Sequence, residues 1–398
     1  MNDQRDQKIM GQIVAAMASC HAPYLLSGSP EEKDADLEAT ASAMRELGDV
    51  LYETKPDVLL FMGSDHLETF SMTCLPTFAI VAGTTAVAEY AGREFRRPIH
   101  RELAEHLLDQ LVRSGFDMTY SEDALLGHTY AVPFHLILGE GELPVVPFHT
   151  NVYLPPLPSP RRCEALGRRI GEIMKSRPER VAILASGGMS HYPGTEKYPS
   201  PEYDFDYWLL DELKRGNTDA LLDLTVEQLD EVGNTELLNW AVMFGVIGPC
   251  RGELLHYTPT WHHGHAMMLF LPERERSSSK IKKVDAYKFK NKGFEFYVHP
   301  TASAYTLNKL LYEVRTSSEL RARVIEDFES VVGEWKLTPK ERKAAEALID
   351  VRNAGAVSEY CKPLVKAGAH PLQALMSLHV IYGDHRRRST RLDEGTDT

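Results

Sequence analysis

Apolar residues fall in short runs separated by polar turns over the first two thirds of the chain, and then adopt a helical period. Ile13-Val14-Ala15-Ala16-Met17-Ala18, Asp57-Val58-Leu59-Leu60-Phe61-Met62 and Arg180-Val181-Ala182-Ile183-Leu184 are too short for helices and rich in branched side chains. Such runs predict buried strands. Between the first two, Leu37, Ala41, Met44, Leu47 and Leu51 share one helical face, predicting a helix over residues 30–54. A strand, a helical crossover and a second strand imply parallel pairing. The segments that follow both strands then emerge at one edge of the sheet, where open α/β folds bind ligands. Further strands are predicted at residues 77–81, 117–120, 144–148 and 266–271. Helices are predicted at 160–175, 204–214 and 219–224, with another opening at Asn234, an N-cap residue type. The expected fold is α/β: a layered domain with a central mixed sheet flanked by helices over residues 1–280, followed by a small all-α domain over 281–385. The charged, serine-bearing stretch 272–280 has linker character, and residues 386–398 read as a flexible polar tail.

The predicted strand ends carry the chemistry. Ser19-Cys20-His21-Ala22-Pro23 follows the first and Gly63-Ser64-Asp65-His66 closes the second. Ala185-Ser186-Gly187-Gly188-Met189-Ser190-His191 follows the third, where two glycines let the backbone turn sharply and approach a ligand. His128 sits in a loop leading into an apolar segment, and Glu236 lies at a helix start. Two neutral imidazoles and one carboxylate, here His21, His66 and Glu236, form the donor set of non-haem Fe(II) oxygenases. Spacing alone leaves other readings open. Glu236 equally complements a helix dipole, and both histidines equally serve as ordinary loop residues.

Composition narrows the class. A formal charge of −13 argues against a nucleic-acid partner. No apolar stretch reaches the length of a bilayer span, and the polar start predicts no secretory signal. Five scattered cysteines without close pairs fit reduced thiols in a cytoplasm and offer no zinc ribbon. Cys20 reads as a packed small residue. His370, His379 and His385 lack acidic partners at ligand spacing and read as surface or interface residues.

The ordered set Ser19–Pro23, Gly63–His66, Gly127-His128-Thr129 with Val132-Pro133, Gly187–His191 and Glu236-Leu237-Leu238-Asn239-Trp240 resembles the class III extradiol ring-cleaving dioxygenases over residues 11–271. Residues 305–382, with Tyr305-Thr306-Leu307-Asn308, Leu337-Thr338-Pro339-Lys340-Glu341-Arg342 and Gly368-Ala369-His370-Pro371, resemble the small helical subunit of the protocatechuate-cleaving members. The chain thus looks like a fusion of the two, as in gallate-cleaving members. The resemblance implies Fe(II) held by His21, His66 and Glu236, with His191 as acid/base and His128 facing the substrate. It also implies a small aromatic diol and O2 as reactants, and a homodimer in which one helical region caps the partner's site.

The stretch from His256 to His265 departs from that pattern by offering an aromatic ring and imidazoles. Trp261 is expected to stack on the substrate ring and His262 or His263 to donate to a ring substituent, unless these histidines are solvated or pack against the partner domain, or His263 and His265 bind an adventitious metal. The departure leaves the diol open among protocatechuate-like, gallate-like, dihydroxypyridine-like and aminophenol-like compounds. Two competing functions use the same residues: a zinc hydrolase that activates water, and a non-catalytic binding module of the same fold.

Overall fold

A computed structural model describes residues 12–272 except 30, 71 and 73, together with 287–290, 302–351 and 356–394. The strand-forming runs assemble into an eight-stranded sheet of order β10-β11-β1-β9-β2-β8-β3-β6. In sequence these are β1 (Gln12–Ser19), β2 (Val58–Ser64), β3 (Phe78–Val81), β6 (Thr119–Ser121), β8 (Val145–Thr150), β9 (Arg180–Ser186), β10 (Gly252–Pro259) and β11 (Gly264–Phe270). The central strands β1, β9, β2 and β8 run parallel, while β3 opposes β8 and β11 opposes β1. The sheet is therefore mixed, as expected. β2 is buried at every position and β9 at all but its first, which explains their unbroken apolar sequence.

A second sheet, β5-β4-β7, comprises β4 (Thr85–Tyr90), β5 (Arg93–Pro98) and β7 (Leu125–Leu126). Its exposed strand β5 reads Arg-Glu-Phe-Arg-Arg-Pro and has no apolar run to betray it. Helices flank the main sheet. Those at Pro160–Met174 and Leu237–Ile247 touch backbone to backbone: a Cβ on Gly167 would fall 1.9 Å from the Val242 carbonyl, and one on Gly245 2.1 Å from that of Glu164. Only glycine permits this approach.

Two expectations are corrected here. His128 is the first residue of the helix His128–Leu136; Pro133 within that run hid it. The later helix begins at Leu237, preceded by Glu236 without a side-chain cap, while the Asn234 side chain is buried and makes no hydrogen bond among the described residues. The linker expected at residues 272–280 lies almost wholly outside the described residues.

The C-terminal region is helical, from Tyr305–Thr316 to a long last helix, Pro371–Glu394, which runs into the stretch expected as a polar tail. It has its own apolar core, including Leu307, Leu311, Leu348 and Leu378, but Tyr198 joins that core from the sheet region. Leu372 and Met376 join the core of the sheet region in return.

Candidate metal centre and pocket

Because β1, β9, β2 and β8 run parallel, their carboxyl ends converge on one edge, and residues following three of them meet there. His21 Nε2 and His66 Nε2 stand 3.4 Å apart. Glu236 Oε1 lies 3.2 Å from the first and 3.0 Å from the second. Atoms bound at about 2.0–2.2 Å to one ion, at tetrahedral or octahedral angles, stand about 2.8–3.6 Å from one another. The spacing of these three atoms suits a shared metal.

The outer hydrogen bonds orient the imidazoles. His21 Nδ1 donates to Ser186 Oγ at 2.9 Å, and that hydroxyl donates to the Thr129 carbonyl at 3.3 Å. His66 Nδ1 and Thr129 Oγ1 share a hydrogen bond at 3.0 Å. In the tautomer in which each Nδ1–H donates, each Nε2 carries the lone pair a metal needs. Burial and the neighbouring His128 push His66 down to about 3, so it is neutral. Glu236 is fully buried, and its carboxylate accepts from Tyr153 Oη at 2.5 Å and from the Gly188 N–H at 2.6 Å. Burial opposes its ionisation, but His21 and His66 more than offset this and hold it well below the usual carboxylate range. The Glu236 side chain makes no cap bond to the helix it precedes and faces the two imidazoles.

His128 offers another donor: its ligating atom and those of His21 and His66 lie within 4.8 Å of one another. Its Nδ1, however, stands 3.0 Å from Glu68 Oε1. His191 stacks face to face on His263 with centroids 4.0 Å apart, and its Nδ1 donates to the Met189 carbonyl at 2.8 Å. Burial lowers its pKa. With Nδ1 donating, Nε2 is the ring atom left with a lone pair.

Over the donors opens a pocket lined by His128, His191, Tyr24, Tyr198, His262 and His263, among others. Its far wall is Leu372, Leu375, Met376 and His379 of the chain's own last helix, so the helical region covers the site within one chain. This corrects the reading of the later histidines: His379 lines the pocket and His370 is buried, at 1% exposure. The His385 side chain lies outside the described set. Of the loop residues, His262 and His263 reach the pocket. Trp261 is not among its lining residues and packs edge-on against Tyr198. His262 Nδ1 lies 2.8 Å from Glu32, and Tyr24 Oη bonds His265 Nε2 at 2.6 Å, which leaves His265 behind the wall. His263 Nε2 is buried without a hydrogen-bond partner among the described residues. Cys20 packs 3.9 Å from Met267 Sδ, and burial pushes its thiol up to about 12, an inert thiol.

Sequence reasoning passed over Tyr153, Ser186, Thr129, Glu68 and Tyr24. Tyr153 was within reach, since it follows a strand parallel to β2 and the rule that selected His66 applies to it equally. Tyr24 and Glu68 carry no comparable signal.

Residues 15–268 match the family described as the catalytic LigB subunit of aromatic ring-opening dioxygenase. A 2,3-dihydroxyphenylpropionate/2,3-dihydroxicinnamic acid 1,2-dioxygenase of Klebsiella pneumoniae subsp. pneumoniae is 31% identical over 185 residues, which is 46% of this chain and 56% of that protein. A protein of the same description from Klebsiella pneumoniae strain 342 is 32% identical over 149 residues, 37% of this chain and 46% of that protein. The chain spans about half the length of the curated relatives it matches. A crystal structure of an uncharacterized protein of Escherichia coli superposes with a TM-score of 0.45 at 13% identity, covering 64% of this chain and 99% of that one. Among the described residues no helix is long and apolar enough to cross a membrane.

Proposed function

We propose, for a chain that belongs to the family of the catalytic LigB subunit of aromatic ring-opening dioxygenase, that it is an Fe(II)-dependent extradiol dioxygenase acting on a small aromatic diol. The observation that carries this reading is the convergence of His21 Nε2, His66 Nε2 and Glu236 Oε1 within 3.0–3.4 Å of one another beneath a pocket. These residues would hold the metal, with Ser186, Thr129, Tyr153 and the Gly188 N–H fixing their orientation. Fe(II) bound there supplies Lewis acidity and a template for a chelating diol beside O2. His191 Nε2 takes a proton from the diol and returns it later in the reaction. Its stack on His263 and its bond to the Met189 carbonyl hold the ring in place for both transfers. His128 offers its own Nε2 to the bound reactants.

Leu372, Leu375 and Met376 give the pocket an apolar wall, which strengthens the polar contacts beside it. A ring substituent would meet His262, His263, Tyr24 and Tyr198, where the unpartnered His263 Nε2 supplies a hydrogen bond. Among the described residues no lysine or arginine lines this wall. That favours a substituent bound by hydrogen bonds over one bound through a fixed positive charge, and leaves Trp261 a role behind His262. Oxygen uptake by the Fe(II)-loaded full chain, screened over catechols, gallates, dihydroxypyridines and aminophenols, tests the reading. Uptake with at least one of them is expected; activity with bound zinc on a hydrolysable ester or amide, and none with any diol, would overturn it.

A further inference from the structure

The helical region does more than wall the pocket. Arg315, on the helix Tyr305–Thr316, is 7% exposed and reaches the turn after β2. Its Nη1 donates to the carbonyls of His66 at 2.6 Å and Leu67 at 3.1 Å, and its Nη2 donates to Glu68 Oε2 at 2.9 Å. The turn needs holding, because Leu67 has a φ of +59°, a left-handed conformation that costs a residue with a side chain about 1–2 kcal/mol. Glu68 passes the contact on: its Oε1 accepts the His128 backbone N–H at 3.1 Å and lies 3.0 Å from His128 Nδ1, close enough to pair with it although the angle falls outside a hydrogen bond. The carboxylate has a seat made for it. A Cβ on Gly127 would fall 1.5 Å from Glu68 Oε1, and φ at Gly127 is −93°, so space and not conformation demands the glycine.

We propose that Arg315 is a positioning residue of the site: by fixing Glu68 and the His66–Leu67 backbone, it sets the tautomer of His128 and the aim of His66. A carboxylate facing Nδ1 selects the Nδ1–H form and leaves the Nε2 lone pair for the pocket. Without the guanidinium, the 16% exposed Glu68 side chain is free to leave for solvent, and His128 loses its acceptor. The statement about His128 stands apart from the proposed reaction; only its kinetic consequence rests on that reading.

The test compares the full-length protein with R315K, R315M and E68Q. Nitrogen NMR of histidine-labelled, metal-free protein, with His128 assigned by its loss in H128N, reads the tautomer directly. The expected result is Nδ1–H in the parent and a shift toward Nε2–H in R315M and E68Q. In E68Q one amide oxygen must replace two acceptors, serving Arg315 or His128 but not both. R315K keeps the charge without the fork and is expected to recover part of the parent pattern. In Fe(II)-loaded protein, on a diol the parent turns over, kcat is expected to fall about 10–100-fold, the usual cost of losing a partner behind a metal site, with KM little changed. An unchanged tautomer and kcat in R315M and E68Q, with only a lower melting temperature, would reduce Arg315 to a tie between the two regions and overturn the proposal. If R315M does not fold, E68Q decides alone. A tautomer shift in a chain that oxidises no diol would sink the proposed reaction and leave the role of Arg315 standing.

Discussion

Replacing Glu236 by Gln separates a metal ligand from a structural acid. The side chain is fully buried, with Tyr153 Oη and the Gly188 N–H donating to its two oxygens at 2.5 and 2.6 Å. In the metal-free protein the buried charge carries a desolvation penalty of several kcal/mol, opposed by two charge-assisted hydrogen bonds of about 1.5–3 kcal/mol each. Glutamine removes the charge and keeps the shape, but its NH2 faces one of the two donors, so metal-free stability should fall by about 1–3 kcal/mol. Metal affinity should fall as well. Loss of an outer hydrogen-bond partner weakens metal binding about 10–100-fold, and loss of a ligand exceeds that, so we expect at least about 100-fold, or about 2.7 kcal/mol. Anaerobic calorimetric titration with Fe(II), beside urea unfolding of the metal-free chain, measures both quantities. Affinity of E236Q within threefold of the parent, whatever the loss of metal-free stability, would refute the assignment.

Two further outcomes follow from the same geometry. A Cβ on Gly188 would fall 2.1 Å from His263 Nε2, so Gly188→Ala should push His263 off its stack on His191, costing about 1–3 kcal/mol of stability together with turnover; an unchanged urea midpoint and kcat would show that the ring moves freely. Asp206, which accepts the Ser190 N–H at 3.0 Å and the Tyr257 hydroxyl at 2.8 Å, is pushed up to about 8, chiefly by burial. The folded chain therefore keeps a proton that the unfolded chain releases near the ordinary carboxylate value. The stability this group contributes is complete below that value and is lost as pH rises toward about 8, with a slope of at most about 1.4 kcal/mol per pH unit. Asp206→Asn should flatten urea-derived stability between about pH 5 and pH 8, and parallel profiles for parent and variant would show that Asp206 is already ionised.

The legible part of this fold is the part built on periodicity. β1, β2 and β9 are buried throughout or nearly so, and their apolar runs announced both the strands and the edge on which His21, His66 and His191 emerge. The strand β5 and the helix His128–Leu136 were illegible for opposite reasons: the first is charged because it faces solvent, and the second is buried on nearly every side and interrupted by Pro133. Glu236 shows the limit of local reasoning, since the same acid at the same helix start suits a dipole or an imidazole pair, and only the fold brings it within 3.2 Å of both rings. Arg315 and His379 lay beyond reach altogether. They lie far along the chain from His21 and His66, and nothing in the intervening sequence links a helical surface position to a strand end.

The most direct test of the account is stoichiometry. The metal-free full chain is loaded anaerobically with Fe(II), and oxygen and diol consumption are followed together on the best diol of the screen. The account predicts one iron per chain and one O2 consumed per diol, both lost when any one of His21, His66 and Glu236 is replaced. Full activity after removal of all three, or oxygen consumed with the diol left intact, would contradict it.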